Sequence, residues 1–211
     1  MLNLFKVKCN LNFLFFLDNM NFVKKITKLY SLSESDEFAS KLNDILKPKV
    51  FKKNDIIIKL GETPSKFYIL KEGVVRSYVV GPNGKEHIKI LHKSICVFAP
   101  LTALVKKQAS TLIFDCLTDC EILEGNYQDF LTLTNSDLEF SSFYIKILEG
   151  SYINSENKVY DLSVLNSTER YIKLKKEIPD IENLIPQYHI ASYLNITPTQ
   201  LSRIRREYYS R

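Results

Sequence analysis

LIPQYHIASYLNITPTQLSRIRR, residues Leu184 to Arg206, reads as a helix, a tight turn and a second helix with a basic end. Ile190, Ala191 and Leu194 give the first helix one buried stripe, and Pro186 suits its opening turn. Asn195 stands where the turn needs a residue tolerant of positive φ, which Gly and Asn adopt at least cost. In the second helix Thr197 is a good N-cap, Pro198 fits the first helical position, and Gln200 is spaced to close a capping box. Leu201 and Ile204 would then pack inward, leaving Thr199, Gln200, Ser202, Arg203 and Arg206 outside. Such a pair of helices is a helix-turn-helix, whose second helix presents its N-terminal residues to base edges in the major groove. Arg pairs with guanine, Gln with adenine, and Thr or Ser with several bases. The competing interpretation, a plain helical hairpin with a solvated face, leaves the capped turn and the basic outer face unexplained.

A chain of 211 residues suits one large domain or two small ones and can bury a proper core. Its composition, 45% hydrophobic and 25% charged, is that of a soluble globular protein. The net charge of +5 is mildly basic, and the last eleven residues concentrate it with four Arg against one Glu. Cys9, Cys96, Cys116 and Cys120 show neither a CxxC pair nor a regular framework, so free thiols in a reducing, cytoplasmic setting are expected. Residues 1–19 carry a short apolar run, Leu11 to Leu17, far too short to span a bilayer. No small-residue cleavage site follows it. The expectation is an N-terminal extension, with Met20 a candidate start and no membrane association.

From Met20 to about Lys47 the pattern is helical. Ser33 is a candidate N-cap, Phe38, Leu42, Ile45 and Leu46 form a stripe, and Lys47-Pro48 forms the stop. Between Val50 and Leu123 the period becomes that of strands. The runs are Val50-Phe51, Ile56 to Ile58, Phe67 to Leu70, Val74 to Val80, His87 to Leu91 and Ile113 to Leu117, punctuated by turn signals such as Gly81-Pro82-Asn83-Gly84. Many short strands at this spacing predict a small antiparallel roll or barrel. Ser136 to Leu162 is helical again. Leu138, Ile145, Tyr152 and Val159 recur every seven residues, and Leu148 and Leu162 share an offset seam with Ser141 and Ser155. Phe140, Phe143, Tyr144 and Ile147 make a second apolar face, suited to covering the roll. The heptad seam is expected to be a symmetric dimer contact, against the alternative of a helix buried on both faces within one subunit. Asn166 and Glu169 stand in capping-box spacing ahead of a helix that Pro179-Asp180 breaks.

In this order of elements the chain resembles the CRP–FNR superfamily of bacterial transcription regulators, from about Met20 to Arg211. The likeness rests on Phe51-Lys52-Lys53-Asn54-Asp55 with Gly61-Glu62, on Tyr68-Ile69-Leu70-Lys71-Glu72-Gly73, and on Asn83-Gly84-Lys85-Glu86-His87. At the other end it rests on Glu169-Arg170-Tyr171 and on Ile190-Ala191-Ser192-Tyr193-Leu194 through Leu201-Ser202-Arg203-Ile204-Arg205. The resemblance implies an α+β chain: an N-terminal antiparallel β-roll of the cyclic-nucleotide-binding, jelly-roll kind, a long dimerisation helix and a small helix-turn-helix domain. The expected divisions are 1–19, 20–135, 136–164 and 165–211. It also implies that Thr199, Ser202 and Arg203 occupy base-reading positions. With Thr197, Gln200, Arg205 and Arg206 they form the expected DNA-binding set. No β-wing is evident after the second helix, so phosphate contacts fall to Arg205, Arg206, Arg211 and nearby backbone.

The departures from the family pattern are equally specific. Members that bind a cyclic nucleotide carry a Gly-Glu pair for the ribose and an Arg before Ser or Thr for the phosphate. The corresponding stretches here look like Phe98-Ala99-Pro100-Leu101 and Ala109-Ser110-Thr111. Proline supplies no carboxylate, and Ser110 has neither the charge nor the paired donors of Arg. Ordinary cyclic nucleotide binding is therefore not expected: the roll either senses a different, unidentified effector, with Phe98, Ala99, Ser110 and Thr111 as its candidate pocket, or serves only as a scaffold. The cysteines lack the clustering of an iron–sulfur site, and His87, His92 and His189 lack ligand spacing, so no cofactor and no metal are expected. No catalytic motif stands out, which argues against an enzyme. The sequence thus predicts a homodimeric regulator with double-stranded DNA, a second copy of itself, an effector and RNA polymerase as candidate partners. The alternative is a ligand-sensing or protein-interaction module with a vestigial helix-turn-helix.

Overall fold

In the computed structural model the described residues are 21–30 and 36–210. The extension at 1–19, the start at Met20 and the cap at Ser33 lie outside them. The chain begins with helix α1 over 21–29, then α2 (Asp36–Asp44). Eight strands follow: β1 (Leu46–Phe51), β2 (Ile56–Ile58), β3 (Lys66–Glu72), β4 (Val74–Val80), β5 (Glu86–Lys93), β6 (Cys96–Phe98), then, after helix α3 (Leu101–Lys106), β7 (Ile113–Cys116) and β8 (Cys120–Asn126). Helices α4 (Tyr127–Ser136), α5 (Leu138–Val164), α6 (Ser167–Glu177), α7 (Ile181–Leu184), α8 (Gln187–Tyr193) and α9 (Pro198–Tyr209) complete the chain. The strands form two four-stranded antiparallel sheets, ordered β1-β8-β3-β6 and β2-β7-β4-β5. This is the expected α+β fold with a β-roll followed by helices.

Side-chain alternation explains the layering. On β3, Phe67 and Ile69 join the core under α1, α2, α4 and α5, whereas Tyr68 and Leu70 point into the core between the sheets. A strand buried on both faces loses the polar alternation of a surface strand and reads as a continuous apolar run. On β4, Val75 faces the inter-sheet core and Val74 joins the core of the C-terminal helices. One sheet therefore packs against α5 and its neighbours, the other against the helix-turn-helix. Gly125 on β8 is needed because a Cβ there would lie 2.4 Å from the Phe67 ring.

The structure corrects the first helical stretch. Helix α2 stops at Asp44, and Lys47-Pro48 lies inside β1, where Pro48 pairs with Leu123. The residue before proline resists α geometry, and an edge strand tolerates a residue without an N–H. Leu46 is still buried, but as a strand residue. Strands β6 and β8 and helices α3 and α4 add to the runs identified in the sequence. Among the described residues no helix is long and apolar enough to cross a membrane.

Candidate nucleic-acid interface and cavity

The helix-turn-helix is held by the caps its sequence encodes. Helix α8 ends in a Schellman motif. Asn195 adopts φ 55°, its N–H bonds the Ser192 carbonyl at 3.1 Å, and Ile196 N–H bonds the Ala191 carbonyl at 3.0 Å. Pro186 serves as N-cap of α8 rather than its first helical residue. Thr197 and Gln200 close a full capping box on α9, with Pro198 at its first turn. Leu201 and Ile204 anchor α9 in the core formed by Tyr171, Leu174, Ile190 and Leu194. Thr197, Thr199, Gln200, Ser202, Arg203 and Arg206 are all exposed. Arg203 donates from Nε to Glu207 at 3.1 Å, a solvent-exposed pair that water or a phosphate can replace at little cost.

Arg205 is placed differently from the other members of the expected set. It is half-buried and donates to Glu182 of α7, which also accepts from Tyr171 at 2.8 Å and Tyr209 at 2.5 Å. Burial opposes the Glu182 charge, but these hydroxyls and the guanidinium outweigh it and hold its pKa below the usual value. Arg205 thus ties α9 to α7 and does not point outward as Arg203 does.

The helix-turn-helix is docked on the roll through β5. Ser192 Oγ donates to the Glu86 carbonyl at 2.9 Å and accepts from Ile88 N–H at 3.1 Å. Beside it Arg76 of β4 makes a bidentate pair with Asp115 of β7 at 2.7 and 2.8 Å. Its Nη1 donates to Glu86 at 2.5 Å and lies 3.0 Å from His189 Nδ1 on α8. The guanidinium also stacks on Tyr78, 3.9 Å from the ring centroid. Burial works against the Arg76 charge, but the Asp115 and Glu86 hydrogen bonds prevail and raise its pKa. His189 is driven down to about 4 by burial and then by the Arg76 charge, so it stands neutral. Lys158 of α5 ties down the far end of α8, donating to the Tyr193 carbonyl at 2.8 Å.

On the opposite face of the β4–β5 hairpin lies a cavity of about 380 Å³. It brings together the four expected pocket residues, Phe98, Ala99, Ser110 and Thr111. Ser110 is buried, and its hydroxyl is committed to the backbone of Leu112, accepting from N–H at 3.2 Å and donating to the carbonyl at 2.8 Å. Ser77 and His92 also line the cavity, with Oγ and Nε2 3.2 Å apart. Desolvation lowers the His92 pKa to about 4. Ser151 and Ser155 of α5 line it as well. Leu148 and Ser155, two members of the offset seam, thus share the face of the helix that looks at the cavity. Spacing along the chain does not mark Arg76, His189 and Ser192 as partners in one site. An Arg inside the β-branched run Val74 to Val80 is the one available signal, because burying it demands partners.

Along the outer face of α5, Leu138, Ile145, Tyr152 and Val159 are all more than half exposed. Among the described residues no group of His, Cys, Asp and Glu is arranged to hold a metal ion.

Comparison with known proteins agrees with this architecture. Residues 48–137 match the cyclic nucleotide-binding domain family. The chain is 24% identical over 177 residues to the anaerobic regulatory protein of Haemophilus influenzae, covering 77% of this chain and 66% of that protein, just under two thirds of its length. The fold is similar to that of FixK2 from Bradyrhizobium japonicum, with a TM-score of 0.69 at 18% identity over 79% of this chain and 85% of that one. It is also similar to CooA from Carboxydothermus hydrogenoformans, with a TM-score of 0.61 at 14% identity over 79% and 78% of the two chains.

Proposed function

We propose that this chain, a CRP/FNR-type protein in its domain and its fold, is a DNA-binding transcription regulator that reads a palindromic operator as a homodimer. The observation that carries this reading is the exposed row Thr199, Gln200, Ser202, Arg203 and Arg206 on a helix whose other side is anchored by Leu201 and Ile204. Thr199, Ser202 and Arg203 read bases, Gln200 and Thr197 fix the helix start, and Arg206 meets phosphate. Arg205 supports the helix from behind through Glu182. The apolar outer face of α5 supplies the contact between copies, and the two recognition helices then sit about 34–36 Å apart, one turn of DNA. The cavity takes the effector. Its occupancy reaches the reading head through the β4–β5 hairpin, which carries cavity residues Ser77 and His92 on one face and Arg76 on the other.

Selection of sites from a random duplex library tests this. A two-fold symmetric motif is expected, with Arg203→Ala relaxing preference at one base pair per half-site by about 1–3 kcal/mol. Affinity should fall steeply with salt as phosphate contacts are screened. No enrichment at low salt would instead favour a sensing module whose helix-turn-helix no longer reads DNA.

A further inference from the structure

The walls of the cavity limit what it can hold. Among the described residues its lining contains no carboxylate and no arginine, and Lys89, an exposed residue, is its only charged member. A phosphate taken into such a space loses its hydration without gaining the paired donors that offset that loss. Four of the eight lining hydroxyls, those of Ser77, Ser110, Tyr127 and Tyr144, are hydrogen-bonded within the protein. Tyr127 and Tyr144 share a 2.7 Å hydrogen bond, and Ser110 is bound to the Leu112 backbone. One part of the wall is an aromatic group. Phe98 and Phe114 lie nearly parallel, 5.8 Å apart at 18°. His92 packs against both, 5.1 Å from Phe98 and 5.8 Å from Phe114. Ser77 and the neutral His92 form a polar couple at one end of this stack. The volume of about 380 Å³ falls at the small end of ligand pockets, which are mostly apolar with a few placed polar groups.

We propose that the cavity takes an uncharged, largely apolar molecule with a planar ring. Its ring packs on the Phe98–Phe114–His92 stack, and a single hydroxyl or amide end meets Ser77 and His92. The proposal rests on reading the cavity as the effector site and adds the chemical class of the effector. Aromatic faces stack on one another with an attraction beyond area burial, which favours a flat ligand over an aliphatic one of equal size. The bound ring lies on the inner side of β4 and β5, whose outer side holds α8 through Ser192 and His189.

The test uses the full chain and the neutral dye N-phenyl-1-naphthylamine, whose fluorescence rises in an apolar site. Saturable binding of one dye per chain is expected, displaced by 2-naphthol, which is neutral at pH 7, and not by millimolar cyclic AMP. Ala99→Phe, which fills the cavity, should weaken dye binding at least ten-fold while the circular dichroism stays native. Should that variant fail to fold, Ser77→Ala decides: it should weaken 2-naphthol several-fold and leave naphthalene unchanged. Displacement by cyclic AMP, non-saturable binding, or dye binding unchanged in folded Ala99→Phe would overturn the proposal, as would equal effects of Ser77→Ala on both compounds. Because the dye measurement needs no DNA, its outcome is independent of the operator selection. A protein that binds 2-naphthol without any change in operator affinity keeps the ligand class and loses the effector role.

Discussion

Arg76→Met should be the most damaging polar substitution in the roll, and its cost follows from the partners it strands. Methionine keeps an apolar side chain of similar length but removes the guanidinium over Tyr78, the bidentate bonds to Asp115, the bond to Glu86 and the contact with His189. Asp115 is only 9% exposed, so it is left as a buried carboxylate without a counter-charge. Glu86, with a side chain 42% exposed, can turn to water and loses less. Breaking a buried pair of this kind costs about 3–5 kcal/mol, mostly the penalty of the orphaned charge. In a domain of this size that lowers Tm by roughly 6–20 °C. Urea unfolding at pH 7.5 measures it directly. The double variant Arg76→Met/Asp115→Leu should recover most of the stability, since no buried charge is left behind. The deficit should also shrink as pH falls, because loss of Arg76 removes one of the causes that lower the His189 pKa, burial being the largest, and leaves the Asp115 and Glu86 carboxylates to favour its protonation. A single variant within about 1 kcal/mol of the parent, or a double variant no better than the single, would refute this account of the buried pair.

Three further outcomes follow from the same geometry. Ile145→Glu puts a charge in the middle of the exposed α5 stripe; sedimentation should show a dimer becoming a monomer while Tm of the folded chain barely moves. His92 and His189 both titrate near 4 when folded against about 6.5 unfolded, so the unfolded chain binds more protons between those values. Stability is therefore full above pH 6.5 and is lost as pH falls toward 4, and His189→Leu should flatten part of that slope in denaturation curves. Gly73→Ala is strained twice, by φ of +101° and by a Cβ 2.5 Å from the Asp119 carbonyl, and should cost more than about 1 kcal/mol in the same urea assay.

Much of the helix-turn-helix was determined by the sequence alone, because its signals are local. Thr197, Pro198, Gln200 and Asn195 act within a few residues of themselves, and the same holds for the Asn166–Glu169 capping box. The seven-residue recurrence from Leu138 to Val159 likewise marks one exposed face of α5 whatever surrounds it. Where neighbours far along the chain set the outcome, the sequence was silent or misleading. Pro48 sits in an edge strand because β8, more than seventy residues later, pairs with it on one side only. Strand β8 itself is hard to see because Glu121, Glu124 and Gly125 dilute its apolar pattern, and Gly125 is explained only by the Phe67 ring above it.

Tertiary structure also decided which polar residues matter. Arg76, Asp115, Glu86 and His189 come from three strands and a helix, and no spacing along the chain unites them. Arg203 and Arg205 are two positions apart on one helix, yet one faces solvent and the other faces Glu182. The helical step of about 100° per residue places them on different sides, but only the position of α7 supplies the partner. Helical caps and periodicity depend on bonds between near neighbours and can be read in one dimension. A cavity or a buried ion pair depends on which distant surfaces are brought together, and packing alone determines that.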